Sequence, residues 1–373
     1  MSRNAILFTL LRGIVLTKNP TLCRFQEYFL ARRRVVFVND MVFMQCRWTT
    51  FAEDVKESLH NQDSETLMFA IQSEESDSFD VLSNVLFYYT PRDMTYESDS
   101  LRALAGICHR VGKTTSCRFL EGIPVASFDL YLGFMPQVTG LVRRQGFPSW
   151  SWAGWKGHLG YPTLSGDKNE WLAANTWIVW YKRSPTGWVS LVWDPAVSDE
   201  ARRATRGRRD ISYEERRSFF QLPAGLENVR TTRVMPSWDL DPKTAPRPYH
   251  ILQFWTLAIH CTLRKSIPKA ERRYQLRDNL AEYCGYLNFD SIPTTAVEGT
   301  TVELILLSVS SSNMFEYFYP GRNKIADNGG LYTALCIEWA DGVAERRGLA
   351  QIYCNRVVHS LPPGPIWKEI LLG

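Results

Sequence analysis

The chain contains no Cys-x-x-Cys pair and no His-x-x-x-His, although it carries eight cysteines and six histidines. Zinc ribbons, fingers and zincin-type metalloenzymes therefore have no support. Neither Gly-x-x-x-x-Gly-Lys-Ser/Thr nor Gly-x-Gly-x-x-Gly occurs, so the phosphate-cradling loops of nucleotide enzymes are missing. Gly-x-Ser-x-Gly is absent as well, and with it the common serine-hydrolase elbow. No usable Asn-x-Ser/Thr glycosylation acceptor is present. The formal charge is only +4 over 373 residues, too small for the global basic field of a nucleic-acid binder. Long apolar runs are lacking too. Residues 5–16 are apolar but interrupted by Arg12, and they fall short of the roughly 20 residues a membrane span needs. Arg3 before this run imitates a signal peptide, but no small-residue cleavage site follows. The segment reads as a buried helix or strand.

The cysteines are Cys23, Cys46, Cys108, Cys117, Cys261, Cys284, Cys336 and Cys354, most of them among apolar neighbours. There a free thiol behaves as a small hydrophobe, and a reduced, cytoplasmic protein is the simplest expectation. Cys108-His109 and His260-Cys261 are adjacent pairs. Neighbours on a helix or strand point in different directions, so neither pair suggests a thiolate–imidazolium dyad. No catalytic, cofactor-binding or metal-ligating constellation emerges from the residues.

What the chain has in abundance is tryptophan, 13 in all, concentrated from Trp150 onward. Phe147-Pro148-Ser149-Trp150-Ser151-Trp152-Ala153-Gly154-Trp155 places three indoles within six residues. Each can bury roughly 150–250 Å². The alternation predicts an extended strand with Trp150 and Trp152 on one face and Ser149 and Ser151 on the other. Pro148, without an amide donor, suits the first residue of a strand. Gly154 permits a close backbone approach. A core anchor is one reading of the motif; an aromatic platform for a sugar or a partner is the other.

Before this motif the pattern is mainly helical. Residues 24–29 read as a helix, and 35–38 with 41–46 as a β-hairpin turning at Asn39-Asp40. Arg32-Arg33-Arg34 is a solvated helix end or a contact for an acidic partner. Residues 53–75 form a polar, acidic surface segment. Ser78 can cap a helix with Phe79, Leu82, Val85, Leu86 and Tyr89 as its apolar stripe, ended by Pro91. Ser98 can cap a second, burying Leu101, Leu104, Ala105 and Cys108 and stopping at Gly112. Gly122-Ile123-Pro124 reads as a turn, and residues 128–134 as a helix. After the motif the pattern is β. Residues 176–181 and 187–193 pair as a hairpin, and 251–261, 302–309 and 332–339 are strands. Asp341-Gly342 turns the last into a partner from Val343 onward. Residues 200–217, with Arg202, Arg203, Arg206, Arg208 and Arg209, form a charged insertion without interleaved aromatics, unlike a nucleic-acid site. Trp367 docks back on the body.

The fold expectation is therefore α+β, a mainly helical N-terminal part followed by a mainly antiparallel β C-terminal region. The boundaries fall at residues 1–55, 56–145 and 146–373, with a charged insertion around 196–247.

Several blocks, in order, resemble fungal heterokaryon-incompatibility (HET) domain proteins. The first is Phe25-Gln26-Glu27 with Leu30 and Arg32-Arg33, continuing into Phe43-Met44-Gln45-Cys46; it is similar to the R-x-W-T-x-Q-E … L-S-x-R end of the HET domain. Cys23 stands where the family has tryptophan, and Ala31 where it has serine. The second runs from Tyr89 through Tyr96, Ser98, Asp99 and Leu101 to Gly106-Ile107, and the third is Gly122-Ile123-Pro124 with Phe128-Asp129. The tryptophan motif is the fourth and most specific. Ile337-Glu338-Trp339 through Arg347-x-Gly348, with Ile370-Leu371-Leu372-Gly373, is the last. The family's opening blocks, Y-x-A-L-S-Y-x-W-G and W-x-D-x-x-C-I-x-Q, are not found. The resemblance implies the end of an α/β HET domain over residues 1–55 joined to a C-terminal region, through a truncated gene or a misassigned start. It implies non-self recognition and programmed cell death, with a protein partner or self-association and no cofactor. The full HET domain is remotely similar to Toll/interleukin-receptor folds, some of which cleave NAD; those active-site positions fall in the segment not found, so none is carried over. Such a remnant should leave the 6–15 run and the 35–44 hairpin partly uncovered, an apolar patch able to bind a partner.

Overall fold

The computed structural model describes residues 30–31, 33–38, 41–46, 50–52, 78–115, 118–138, 140–161, 171–172, 175–192, 225–226, 229, 235–238, 240, 246–265, 273–291, 298–310 and 330–373. The expected helix at 24–29, the acidic segment at 53–75 and the charged insertion at 200–217 lie outside them. Helices and antiparallel sheets are both present, so the chain is α+β. It divides into two compact units, Met1–Thr115 and Ser116–Gly373.

In the first unit, β1 (Arg33–Val38) and β2 (Met41–Cys46) pair antiparallel from Arg33↔Cys46 to Val38↔Met41. This is the expected hairpin, because β-branched and aromatic residues on both sides of Asn39-Asp40 favour a pleated pair. A third strand, β3 (Thr50–Ala52), adds to β2. Helix α1 (Ser78–Tyr89) buries Phe79, Leu82, Val85, Leu86 and Tyr89, the predicted stripe. The Tyr89 hydroxyl donates to the Ser100 carbonyl at 2.6 Å, tying the helix end to the following turn. The second helix departs from expectation. Two 3₁₀ turns, Glu97–Asp99 and Arg102–Leu104, precede α2 (Ala105–Thr115). Ser98 is inside the first turn and caps nothing, and Gly112 lies within the helix. The buried face is Leu104, Ile107 and Val111, while Ala105 is exposed and Cys108 half-buried. The 3₁₀ turns wind three residues per turn, so Leu101 leaves the 3.6-residue line that the sequence suggested.

The second unit opens with β4 (Phe119–Leu120) and β5 (Ile123–Pro124), a small hairpin turning at Glu121-Gly122. Helix α3 (Phe128–Tyr131) is a single turn rather than the expected seven-residue helix. Short strands β6 (Met135–Pro136), β7 (Val142–Arg143), β8 (Trp155–Lys156) and β9 (Leu159–Gly160) pair as β6–β9 and β7–β8. The predicted hairpin appears as β10 (Tyr181–Arg183) and β11 (Val189–Leu191), beginning later than the aromatic run suggested.

Seven strands follow: β12 (Ile251–Lys265), β13 (Arg273–Arg277), β14 (Tyr283–Phe289), β15 (Thr301–Ser310), β16 (Leu331–Ala340), β17 (Val343–Tyr353) and β18 (Ile366–Leu372). Their pairings close on themselves. β12 bonds β13, β13 bonds β14, β14 bonds β17, β17 bonds β16, β16 bonds β15, and β15 returns to β12. The result is a closed, six-stranded antiparallel barrel, an arrangement that removes free edges. Its inward positions in register are Leu257, Ile259, Cys261 and Leu263 of β12, Leu276 of β13, Leu287 of β14, Leu304 and Leu306 of β15, Ala334 of β16, and Ala350 and Ile352 of β17, all buried. β12 is long enough to serve twice. Its C-terminal half belongs to the barrel, and its N-terminal half pairs with β10 and β18. The Asp341-Gly342 turn joins β16 to β17 with both φ angles positive, 52° and 75°, as a two-residue hairpin loop requires. Trp367 does dock back, as part of β18 opposite Leu257. Among the described residues no helix is long and apolar enough to cross a membrane.

Candidate functional site

The tryptophan motif is not a strand. Ser149 and Trp150 form a turn, Trp152–Gly154 is a 3₁₀ helix, and only Trp155 enters a short strand. The serine side chains explain the change, because each bonds locally or to another loop instead of alternating with the indoles. Ser151 Oγ accepts from the Ala153 amide at 3.0 Å, capping the 3₁₀ turn, and donates to the Glu121 carbonyl at 2.6 Å. Ser149 donates through its amide to the Gly373 oxygen at 2.9 Å and through its hydroxyl to the same atom. Its Oγ also accepts from the Arg346 amide at 2.8 Å.

All three indoles are sealed inside: Trp150 and Trp152 are 0% exposed and Trp155 1%. They offer no face to a sugar, so the motif is a core anchor. Trp152 Nε1 donates to the Gly122 carbonyl at 2.9 Å and Trp155 Nε1 to the Ser149 carbonyl at 2.7 Å. Trp150 Nε1 has no hydrogen-bond partner among the described residues. Its ring packs on Phe128 (centroids 5.6 Å apart), Phe128 on Trp180 (5.5 Å) and Trp180 on Phe254 of β12 (4.5 Å), an aromatic chain from the motif to the sheet. Gly154 is required by space. A Cβ there would lie 2.2 Å from the Pro148 carbonyl oxygen, a backbone atom that cannot step aside.

Beside the motif lies a charged centre that composition and spacing did not reveal. Arg346 and Asp290 are both fully buried. The guanidinium binds the carboxylate twice, Nε to Oδ2 at 2.8 Å and Nη2 to Oδ1 at 3.1 Å. It also donates to the Leu132 carbonyl at 2.6 Å and to that of Phe134, whose ring it covers at 3.5 Å. Burial raises the Asp290 carboxyl above the usual carboxylate range, and the adjacent guanidinium offsets only part of that rise. A buried pair survives only when its remaining donors and acceptors are satisfied. Here they are, because Arg346 gathers the α3–β6 loop, the end of β14 and strand β17 around one planar fork. In the linear sequence Arg346 is one arginine in Glu345-Arg346-Arg347, and Asp290 lies 56 positions away. No local pattern marks them.

The other residues carrying the family resemblance fall on several elements. Gln26 and Glu27 lie outside the described residues. Arg33 begins β1 opposite Cys46 and is exposed. Tyr96 and Ser98 are exposed, Asp99 faces Arg102 at 4.0 Å, and Gly106 is in α2. Pro148 and Ser149 to Trp155 form the buried motif just described. On the three-stranded sheet, Val35, Met44 and Phe51 oppose one another in register and are all exposed. Directly opposite residues share a face, so this is an open apolar row, as the sequence suggested for the hairpin.

Among the described residues no cysteine or serine side chain is bonded to a histidine ring. Among the described residues no three His, Cys, Asp or Glu side chains gather where they could hold a metal ion. His260 stands 4.0 Å from Glu303, its cross-strand partner, and burial lowers its pKa below the usual imidazole range. Ser360 bonds the His260 backbone, not its ring. Burial pushes the thiols of Cys108 and Cys354 up to about 12. Buried Cys261 and Cys284 touch at 3.7 Å from opposite sides of β13; two strand spacings, about 9–10 Å, exceed the roughly 7 Å limit for a disulfide. At pH 8 a thiol of pKa 12 is ionised to about one part in ten thousand. Iodoacetamide should therefore label Cys108 and Cys354, both half-buried, far more slowly in the native protein than after unfolding, as read by site-resolved mass spectrometry. Rapid labelling of either in the native protein would refute the burial assigned to it.

No protein-family model, no curated protein and no solved structure matches this chain.

Proposed function

We propose that the protein is a HET-family component of fungal non-self recognition, acting in programmed cell death as an interaction and regulatory scaffold. The observation carrying this reading is the ordered set of sequence blocks centred on Phe147-Pro148-Ser149-Trp150-Ser151-Trp152-Ala153-Gly154-Trp155. In this reading a mainly helical N-terminal part, opening with the end of a HET domain, precedes the β-rich region. The protein works in the cytoplasm. The scaffold role is supported by the open row of Val35, Met44 and Phe51, since exposed contiguous apolar surface marks a contact site.

The test is inducible expression across genetically distinct strains of a filamentous fungus, scoring dye uptake after cell fusion. Strain-dependent death is expected, with cellular NAD unchanged. A Val35→Lys, Met44→Lys, Phe51→Lys variant should abolish it while folding normally. Death accompanied by NAD loss would favour an NAD-cleaving effector instead. Absence of death in every strain would remove the proposal.

A further inference from the structure

The two most exposed tryptophans among the described residues lie elsewhere, and one buried arginine holds their loops together. Trp188 is 72% exposed, Trp238 64% and Met235 58%. Large apolar side chains exposed singly are ordinary, but a contiguous group of them marks a contact site. Trp188 closes the β10–β11 loop, where its amide donates to Ser184 Oγ at 3.1 Å. Met235 and Trp238 belong to the segment 235–238 laid across β10, β12 and β18.

That segment is held mainly by its backbone, with the Tyr181 hydroxyl also donating to Met235 Sδ at 3.4 Å. The Trp255 indole donates to the Met235 carbonyl at 3.1 Å, and Gln253 Nε2 to the Ser237 carbonyl at 2.9 Å. The Ser237 amide donates to Glu369 Oε1 at 2.7 Å. Arg183, nearly buried, donates to the Ser237 and Trp238 carbonyls at 2.8 and 3.2 Å. Its other nitrogen reaches the Gly187 carbonyl at 3.1 Å. One guanidinium thus fixes the backbone next to both exposed tryptophans. Only Pro236 buries its side chain. Fixing the backbone while leaving Met235 and Trp238 outside removes in advance the ordering cost of binding.

We propose that Trp188, Trp238 and Met235 form a docking surface for a proline-rich segment of a partner in polyproline II conformation. Such a segment has apolar rings and carbonyl acceptors but few amide donors. The surface is its complement. Among the described residues neither exposed indole N–H has an acceptor, and Oε1 of Glu369 is taken by the Ser237 amide and by Gln253. The sheet beneath shows the same chemistry in place: an indole N–H bonds the carbonyl preceding Pro236, and the proline ring is buried. This inference does not depend on the family reading.

The test uses the full chain and fluorescein-labelled decaproline, followed by anisotropy. Saturable binding is expected, weakened at least about tenfold by Trp188→Ala and by Trp238→Ala. Thermal unfolding should be unchanged in both, because neither ring is buried. Trp339→Ala should leave binding intact, since Trp339 packs on Lys368, whose side chain points away from that of Glu369 along β18. No binding of decaproline, binding indifferent to both substitutions, or binding of a chitin oligosaccharide in its place would each overturn the proposal.

Discussion

Replacing Arg346 with leucine is expected to cost about 3–5 kcal/mol of stability, enough to unfold a domain of ordinary marginal stability. The substitution leaves the Asp290 carboxyl fully buried without its partner, and the Leu132 and Phe134 carbonyls without their donor. The cost is set less by the lost attraction than by the polar groups left behind, each of which has exchanged water for nothing. A second substitution separates the two effects. In the double variant Arg346→Leu, Asp290→Leu the stranded carboxyl is gone, so part of the loss should return despite fewer contacts. Urea unfolding followed by circular dichroism measures both. A single variant within about 1 kcal/mol of the parent would mean that this centre is not desolvated as described.

The three tryptophans of the motif should respond unequally to the same change. Truncation to alanine at any of them should cost about 3–5 kcal/mol, because a large cavity opens in a packed interior. Phenylalanine separates packing from hydrogen bonding. Trp155→Phe strands the Ser149 carbonyl and Trp152→Phe strands that of Gly122, a further cost of about 1–3 kcal/mol each. Trp150→Phe strands no acceptor and removes a buried donor that has no partner among the described residues. It should therefore be the mildest of the three by denaturant melts. Equal losses for Trp150→Phe and Trp155→Phe would show that ring volume alone governs the motif.

Period and punctuation made much of the skeleton legible. The α1 stripe could be read because five apolar residues recur at helical spacing. The β1–β2 hairpin was readable because its two runs flank a turn dipeptide. Asp341-Gly342 marked a tight loop, and the strands around it followed. Shorter elements were missed. β3 spans three residues, and β13 reads Arg-Tyr-Gln-Leu-Arg, in which polar outward residues dilute the apolar signal. The start of α2 was misplaced because Ser98 is a good cap on paper while the chain makes two 3₁₀ turns first. The tryptophan motif departs from its strand-like pattern for a related reason. Alternation of apolar and polar residues predicts a strand only when the polar side chains look to solvent. Ser149 and Ser151 instead spend their hydroxyls on buried backbone groups.

By itself the sequence determined the α+β class, the β-rich second half, the burial of a tryptophan anchor as one of two readings, and the lack of any recognisable catalytic motif. These follow from local composition and periodicity, which act between residues a few positions apart. Tertiary structure alone decided the closure of six strands into a barrel, the meeting of Arg346 with Asp290, and which tryptophans face water. Each depends on residues tens to hundreds of positions apart, such as Ser149 with Gly373, that come together only when the chain packs. Trp150 and Trp188 are chemically the same side chain. Only the packing around them buries the first and leaves the second on the surface.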